Sequence, residues 1–373
     1  MKKILIAISA FILSLGLVAC GNSDTIKFAV FGPITGPYSV YGEAVKNGAE
    51  LAASEINDAG GVLGKELELV VLDNQADSDM AINNYNYAVD QKGVVAIIGG
   101  TFSGLTNAFK PYAVEEGIPV LTPTGTAVSI TEEASNVFRA CYLDSYQGAV
   151  MAQFAINDLS SVKAAVLFDT GDDYSVGLKD AFVAEYVSAN LTVDAMGFTS
   201  GTVDFSTYIT SIKNGGYDAV FVPTYTDTVG PILTEAKSQG LDIPFLGGDG
   251  WDSIESTYAT AAEGMYFGNH YAKSDTDPLV QNFVTAYTDA YGEAPNALAA
   301  LAYDAVKVMV AAIDDAQSVE YADVIAALNA ITYEDGVTGS ITFDDNGDAQ
   351  DKAVSIIKVE NGAQVLVKKY TAA

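Results

Sequence analysis

Lys27-Phe28-Ala29-Val30-Phe31-Gly32-Pro33-Ile34-Thr35-Gly36-Pro37-Tyr38-Ser39-Val40-Tyr41-Gly42 is the stretch on which the fold turns. Its first five residues form a short run that reads as a strand buried on both faces. Gly32 and Pro33 end that strand, and residues 40–56 then follow helical periodicity. The same unit recurs downstream. Residues 67–72, 94–98 and 118–121 read as strands, with helices over 81–89 and from Ser103 between them. Short, doubly buried strands alternating with helices imply right-handed crossovers and a mostly parallel sheet.

After Phe138-Arg139 the rhythm starts again, with a helix over 145–157 and strands at 163–168, 191–196, 218–222 and 243–246. Helices over 278–291 and 298–312 are followed by only one further strand, 340–343, and a terminal hairpin. They therefore complete the first body and do not make a third domain. A chain of 373 residues also exceeds what one hydrophobic core usually holds. The expected fold class is α/β, with two Rossmann-like lobes of mostly parallel sheets. One lobe comprises residues 25–143 plus 272–344, and the other 144–271 plus 345–373. Several crossings form the hinge, and a ligand cleft lies between the lobes.

At the amino terminus Lys2 and Lys3 precede an apolar run, 4–18, that is too short for an ordinary membrane span. It ends in Leu17-Val18-Ala19-Cys20, a small-residue cleavage signal followed by a polar stretch, which is similar to the lipobox of bacterial lipoproteins. Residues 1–20 are thus expected to be a lipoprotein signal peptide. Lipidation at Cys20 would anchor an extracytoplasmic protein to a bacterial membrane, at the cell surface or in the periplasm. With Cys20 so used, Cys141 has no disulfide partner and reads as a buried, inert thiol.

The formal net charge is −30, from 18 Lys plus Arg against 48 Asp plus Glu, a field that repels nucleic-acid phosphates. Neither a G-x-x-x-x-G-K-[ST] nor a G-x-G-x-x-G sequence occurs, which argues against nucleotide cofactors, and no cofactor is expected. His270 is the single histidine and reads as a satisfied surface or core residue, so a catalytic triad has one place to stand. In Asp344-Asp345-Asn346-Gly347-Asp348 the glycine and acidic residues miss the register of a hand-like calcium loop. The run reads as a turn, and neither a metal site nor an enzyme is expected.

Ligands of open parallel sheets bind beyond the carboxyl ends of strands. In the first lobe those ends carry Tyr38 and Tyr41, then Gly99-Gly100-Thr101-Phe102-Ser103, then Thr122-Pro123-Thr124-Gly125-Thr126. Hydroxyls at helix starts without Lys or Arg suit a single carboxylate. In the second lobe the ends carry Asp172-Asp173-Tyr174, Thr224-Tyr225 and Asp249-Gly250-Trp251, carboxylates beside aromatic rings that suit an ammonium group. Together they describe a site for a zwitterion. Plainer readings stand beside these. Ser103 and Thr126 are also good helix caps, Tyr174 could pack on its own helix, and Asp249-Gly250 is a common turn dipeptide. Trp251 suits either the cleft or the layer beneath it.

The chain resembles the solute-binding lipoproteins of branched-chain amino-acid ABC transporters, the leucine/isoleucine/valine-binding family with the type I periplasmic-binding fold. Gly32-Pro33 with Thr35-Gly36, Ile98-Gly99-Gly100 with Ser103, Phe138-Arg139 with Asp144 and Gln147-Gly148, and the run Gly339 to Asp344 with Gly347 carry the likeness. The resemblance implies that Ser103, Thr124 and Thr126 take the α-carboxylate and that Tyr41 lines the side-chain pocket. It implies that Tyr174 and Tyr225 reach the ligand and that Asp249 receives the α-ammonium. Tyr41 in place of tryptophan and Asp249 in place of glutamate depart from the leucine-binding pattern. The implied function is capture of a free branched-chain, or other hydrophobic or aromatic, L-amino acid by cleft closure. A monomer would then deliver it to ABC permease and ATPase subunits. The alternative is a sensory or accessory receptor of the same fold for an amide or other carboxylate.

Overall fold

A computed structural model of the protein describes residues 25–371. The segment 1–20 and Cys20 lie outside the described residues. Five parallel strands form the first sheet: β1 (Thr25–Gly32), β2 (Glu66–Asp73), β3 (Ala96–Gly99), β4 (Val120–Thr122) and β5 (Val137–Arg139), in the order β2-β1-β3-β4-β5. The second sheet has seven strands: β6 (Lys163–Asp169), β7 (Thr192–Phe198), β8 (Ala219–Phe221), β9 (Phe245–Gly247), β10 (Tyr266–Asn269), β11 (Ala353–Glu360) and β12 (Ala363–Thr371). They run in the order β12-β11-β10-β9-β8-β6-β7, parallel except for the terminal hairpin, which pairs antiparallel with β10.

The helices are α1 (Ser39–Asp58), α2 (Ser78–Asn86), α3 (Ser103–Glu116), α4 (Asp144–Asn157), α5 (Asp173–Ser188), α6 (Ser206–Gly215), α7 (Thr226–Ser238), α8 (Ile254–Ala262), α9 (Pro278–Tyr291), α10 (Ala297–Ala316) and α11 (Tyr321–Ala330). β1 shows why the opening motif reads as a central strand. Phe28 and Val30 enter the core beneath α1 and α10, while Ala29 and Phe31 enter the core on the opposite face with Phe109 and Tyr85. Each fully buried Phe or Val contributes about 1.5–3 kcal/mol relative to exposure, and period-2 alternation spends them on both faces. β6 does the same in the second lobe, with Ala165 and Leu167 on one side and Ala164 and Val166 on the other. α1 lies tight on α10 because Gly48 has no side chain: a Cβ there would stand 2.0 Å from the Ala299 carbonyl oxygen.

The chain passes between the lobes after β5, again between β10 and α9, and again before β11. In both sheets the order places neighbouring loops on opposite sides of a switch point, at β1/β3 and at β6/β8.

Some elements differ from their sequence reading. Residues 340–343 form no strand. Ile341 and Phe343 make isolated bridges to Tyr333 and Ala349, and Phe343 packs on Phe138 at 5.1 Å beside the short edge strand β5. β5 and β10 are too short to show periodicity in sequence. α8 and α11 were not anticipated, and the helix expected over 81–89 is α2 continued by a wider π-helical turn, Tyr87–Lys92. The acidic run near 344–348 folds as a turn, in which Asp348 N–H and Asn346 N–H donate to Asp344 Oδ1 at 2.9 Å each. Trp251 lies beneath the cleft, fully buried, with its Nε1–H donating to the Val222 carbonyl at 2.9 Å. Cys141 is buried, and desolvation pushes its thiol pKa far above the usual value, consistent with an inert role. No helix among the described residues is long and apolar enough to cross a membrane.

Candidate functional site

The loops after β1, β3 and β4 face those after β6, β8 and β9 across a small cavity of about 20 Å³. Tyr41, Ser103, Thr124, Thr126, Tyr174, Tyr225 and Asp249 all line it, together with Thr101, Phe102, Gly250 and Leu298.

The first-lobe wall is built by backbone turns. At the end of β3, Gly100 has φ +103° and lies so close to Thr106 that a Cβ would fall 1.8 Å from its hydroxyl. Only glycine permits both the left-handed conformation and that contact. The turn brings Thr101 and Phe102 into the cavity and starts α3 at Ser103, where the helix dipole places partial positive charge. Ser103 Oγ accepts from the Ala127 N–H at 3.2 Å, and Thr124 Oγ1 donates to the Thr101 carbonyl at 2.6 Å. The two hydroxyl loops are thus tied to each other. Beneath them Arg139, fully buried, donates through Nη1 to the Gly125 carbonyl at 2.9 Å and through Nη2 to Thr131 Oγ1 at 2.8 Å. Its Nε pairs with Asp348 Oδ1 at 2.5 Å.

The second-lobe wall is acidic and aromatic. Asp249 is 6% exposed. Its Oδ1 accepts from Tyr174 O–H at 2.9 Å, and its Oδ2 lies 3.0 Å from His270 Nε2. The Tyr174 oxygen in turn accepts from the Gly250 N–H at 2.9 Å. Tyr174 stacks on Tyr225 at 5.1 Å between centroids, and Tyr225 meets Phe102 of the other lobe at 4.5 Å. Burial, followed by the neighbouring Asp249 charge for Tyr174 and by Asp172 and then Asp249 for Tyr225, holds both phenols well above the usual tyrosine pKa. They are neutral donors at physiological pH. Asp144, at the start of α4, is fully buried, and neither carboxylate oxygen has a hydrogen-bond partner of good geometry. Desolvation and then the Asp249 charge push its pKa well above the carboxylate range.

Tyr41 closes the cleft. From α1 its O–H donates to the Gly250 carbonyl at 2.7 Å and accepts from the Thr226 N–H at 2.9 Å, joining the two lobes. Sequence reasoning singled out neither Phe102, which stands in a quoted loop whose aromatic gave no separate signal, nor Leu298, which is distant in sequence from the other lining residues. His270, read as a satisfied surface or core residue, is a core residue whose Nε2 pairs with Asp249 and whose Nδ1 has no partner.

The sequence profile described as periplasmic binding protein matches residues 25–364. The chain belongs to that family. A leucine-, isoleucine-, valine-, threonine- and alanine-binding protein of Pseudomonas aeruginosa is 33% identical to this periplasmic binding protein over 331 residues, 87% of each chain. The leucine-binding protein LivK of Thermotoga maritima superposes with a TM-score of 0.88 at 34% identity, covering 92% of this chain and 98% of that one. LivJ of Streptococcus pneumoniae, solved with isoleucine, gives 0.86 at 29% identity, covering 93% and 99%. The two-lobed, mostly parallel architecture is that of these neighbours.

In this family member the cross-cleft bonds of Tyr41 carry a direct expectation. Tyr41→Phe removes one O–H donor and leaves the Gly250 carbonyl and Thr226 N–H unpaired only when the cleft is shut. Closure should be weakened by about 1–2 kcal/mol, and calorimetry should find ligand binding about five- to thirty-fold weaker. Unchanged affinity would mean that water replaces the phenol in the closed form.

Proposed function

We propose that this protein captures a free L-amino acid, branched-chain or otherwise hydrophobic or aromatic, by closing its lobes, and hands it to an ABC permease and its ATPase subunits. One observation carries the reading: a single cavity has hydroxyls at the α3 terminus on one wall and, on the other, a carboxylate held only by groups that can be neutral donors. The first wall suits a carboxylate, and the second suits an ammonium, which the surrounding rings also attract. Phe102, Tyr41, Tyr225 and Leu298 give the cavity an apolar lining suited to the side chain. The names of the relatives support an amino acid as the solute. The chemistry is binding without turnover, carried out by a monomer of two lobes, 25–143 plus 272–344 and 144–271 plus 345–373.

Calorimetric titration of the purified protein with leucine, isoleucine, valine and phenylalanine, combined with small-angle scattering, tests the proposal. A ligand that bridges the lobes favours the closed member of an existing equilibrium, so the radius of gyration should fall on saturation. Failure of every amino acid to bind would remove the reading.

The Leu17-Val18-Ala19-Cys20 run supports an extracytoplasmic, lipid-anchored location. Thioether lipidation needs sulfur, so Cys20→Ser should leave the protein unprocessed or released from membranes on fractionation. A Cys20→Ser protein that stays membrane-bound and is cleaved at the same site would exclude the anchor.

A further inference from the structure

His270 stands just beyond β10, where the chain passes between the lobes for the second time. Its side chain is 0% exposed. The ring lies flat on Tyr142, which belongs to the first crossing, with centroids 3.7 Å apart and planes 22° apart. Tyr142 is held in turn, its hydroxyl accepting from Gln147 Nε2–H at 2.6 Å. The imidazole therefore has a fixed plane, and that plane delivers Nε2 to 3.0 Å from Asp249 Oδ2. The other nitrogen, Nδ1, is buried without a partner, and His270 also lines a second cavity with Lys352 and Thr338.

An ionised carboxylate can only accept hydrogen bonds, so the pair requires a hydrogen on Nε2. Asp249 is thus gripped from both oxygens, by Tyr174 O–H on Oδ1 and by His270 Nε2–H on Oδ2. Neither grip needs to bring a positive charge. A lysine or arginine in the place of His270 would hold the carboxylate equally well and cancel the field that a ligand ammonium must feel. No such cation is paired with Asp249 among the described residues.

We propose that His270 is a positioning residue for ammonium recognition, which fixes the plane of the Asp249 carboxylate by donating Nε2–H to Oδ2 while leaving its charge for the ligand. The proposal rests on the amino-acid reading above. It predicts a loss confined to ligands that carry an ammonium. The experiment uses the tightest-binding amino acid of the four and its deaminated acid, for leucine 4-methylpentanoate, titrated against wild type, His270→Ala and His270→Gln. His270→Ala should weaken the amino acid by about tenfold and the deaminated acid by less than about twofold. His270→Gln, which retains an N–H donor, should recover most of the loss. If the alanine variant does not fold, His270→Leu fills the volume without a donor and serves the same comparison. Equal losses for both ligands would make His270 a packing residue, and an unimpaired amino-acid affinity would remove it from the site. Either result leaves the amino-acid reading intact. A wild type that binds none of the four amino acids overturns that reading and the role of His270 with it.

Discussion

Asp249→Asn should weaken amino-acid binding by roughly thirty-fold or more while leaving the fold in place. The carboxylate is 6% exposed, and in a closed cleft a desolvated ammonium that loses its charged partner costs about 2–5 kcal/mol. Asparagine keeps the volume. Its neighbours also tolerate the change, because a tyrosine hydroxyl can accept as well as donate and an imidazole can move its hydrogen to the other nitrogen. The melting temperature of the ligand-free variant should therefore stay close to that of wild type. The same logic predicts the ligand series. The deaminated acid should bind wild type poorly because it brings no ammonium to the Asp249 charge, and the primary amide because the α3 terminus and its hydroxyls lose a negative charge. Calorimetry of wild type and variant against the amino acid, its deaminated acid and its amide decides the matter. Equal affinity for the deaminated acid, or an unimpaired variant, would take Asp249 out of the site.

Arg139→Met should cost about 3–5 kcal/mol of stability, the range for removing one partner of a buried ion pair. Arg139 is fully buried, and its partner Asp348 would be left as an uncompensated carboxylate, 8% exposed, at the third crossing. For lobes of this size the melting temperature should fall on the order of 10 °C. Because the same guanidinium holds Gly125 and Thr131, the loop that carries Thr124 and Thr126 loses its tether, and ligand affinity should fall as well. Adding Asp348→Asn removes the orphaned charge and should recover a substantial part of the stability, a coupling measurable by a double-mutant cycle. It should not recover affinity, since the tether to Gly125 is still missing. A single variant that melts within a few degrees of wild type would show that solvent reaches Asp348.

The type of each long element was legible in the sequence because local patterns encode it. Phe28 to Phe31 alternate between two cores, and only a strand covered on both faces can use four consecutive apolar residues in that way. The strand-end loops were legible for a related reason: Gly100 and the threonine and tyrosine runs are local signals of turns and helix starts. Seven residues named from such loops line one cavity. Short edge elements were not legible. β5 and β10, of three and four residues, exist because neighbouring strands offer hydrogen bonds, whereas residues 340–343 make only isolated bridges, to Tyr333 and Ala349. Nor could the sequence place Trp251, whose pattern suits the cleft and the layer beneath it equally and which lies beneath.

The plainest divide lies at His270. By itself the sequence determined an α/β chain of two sheets with hydroxyl loops at the ends of one and acidic, aromatic loops at the ends of the other, because those properties follow from neighbours a few residues apart. Only the tertiary structure decided that His270 meets Asp249 across 21 residues, that Tyr41 bonds to Gly250 across 209, and that Arg139 pairs with Asp348 across another 209. Such contacts are set by how the crossings bring distant backbone together, and no local pattern of side chains records the distance between them.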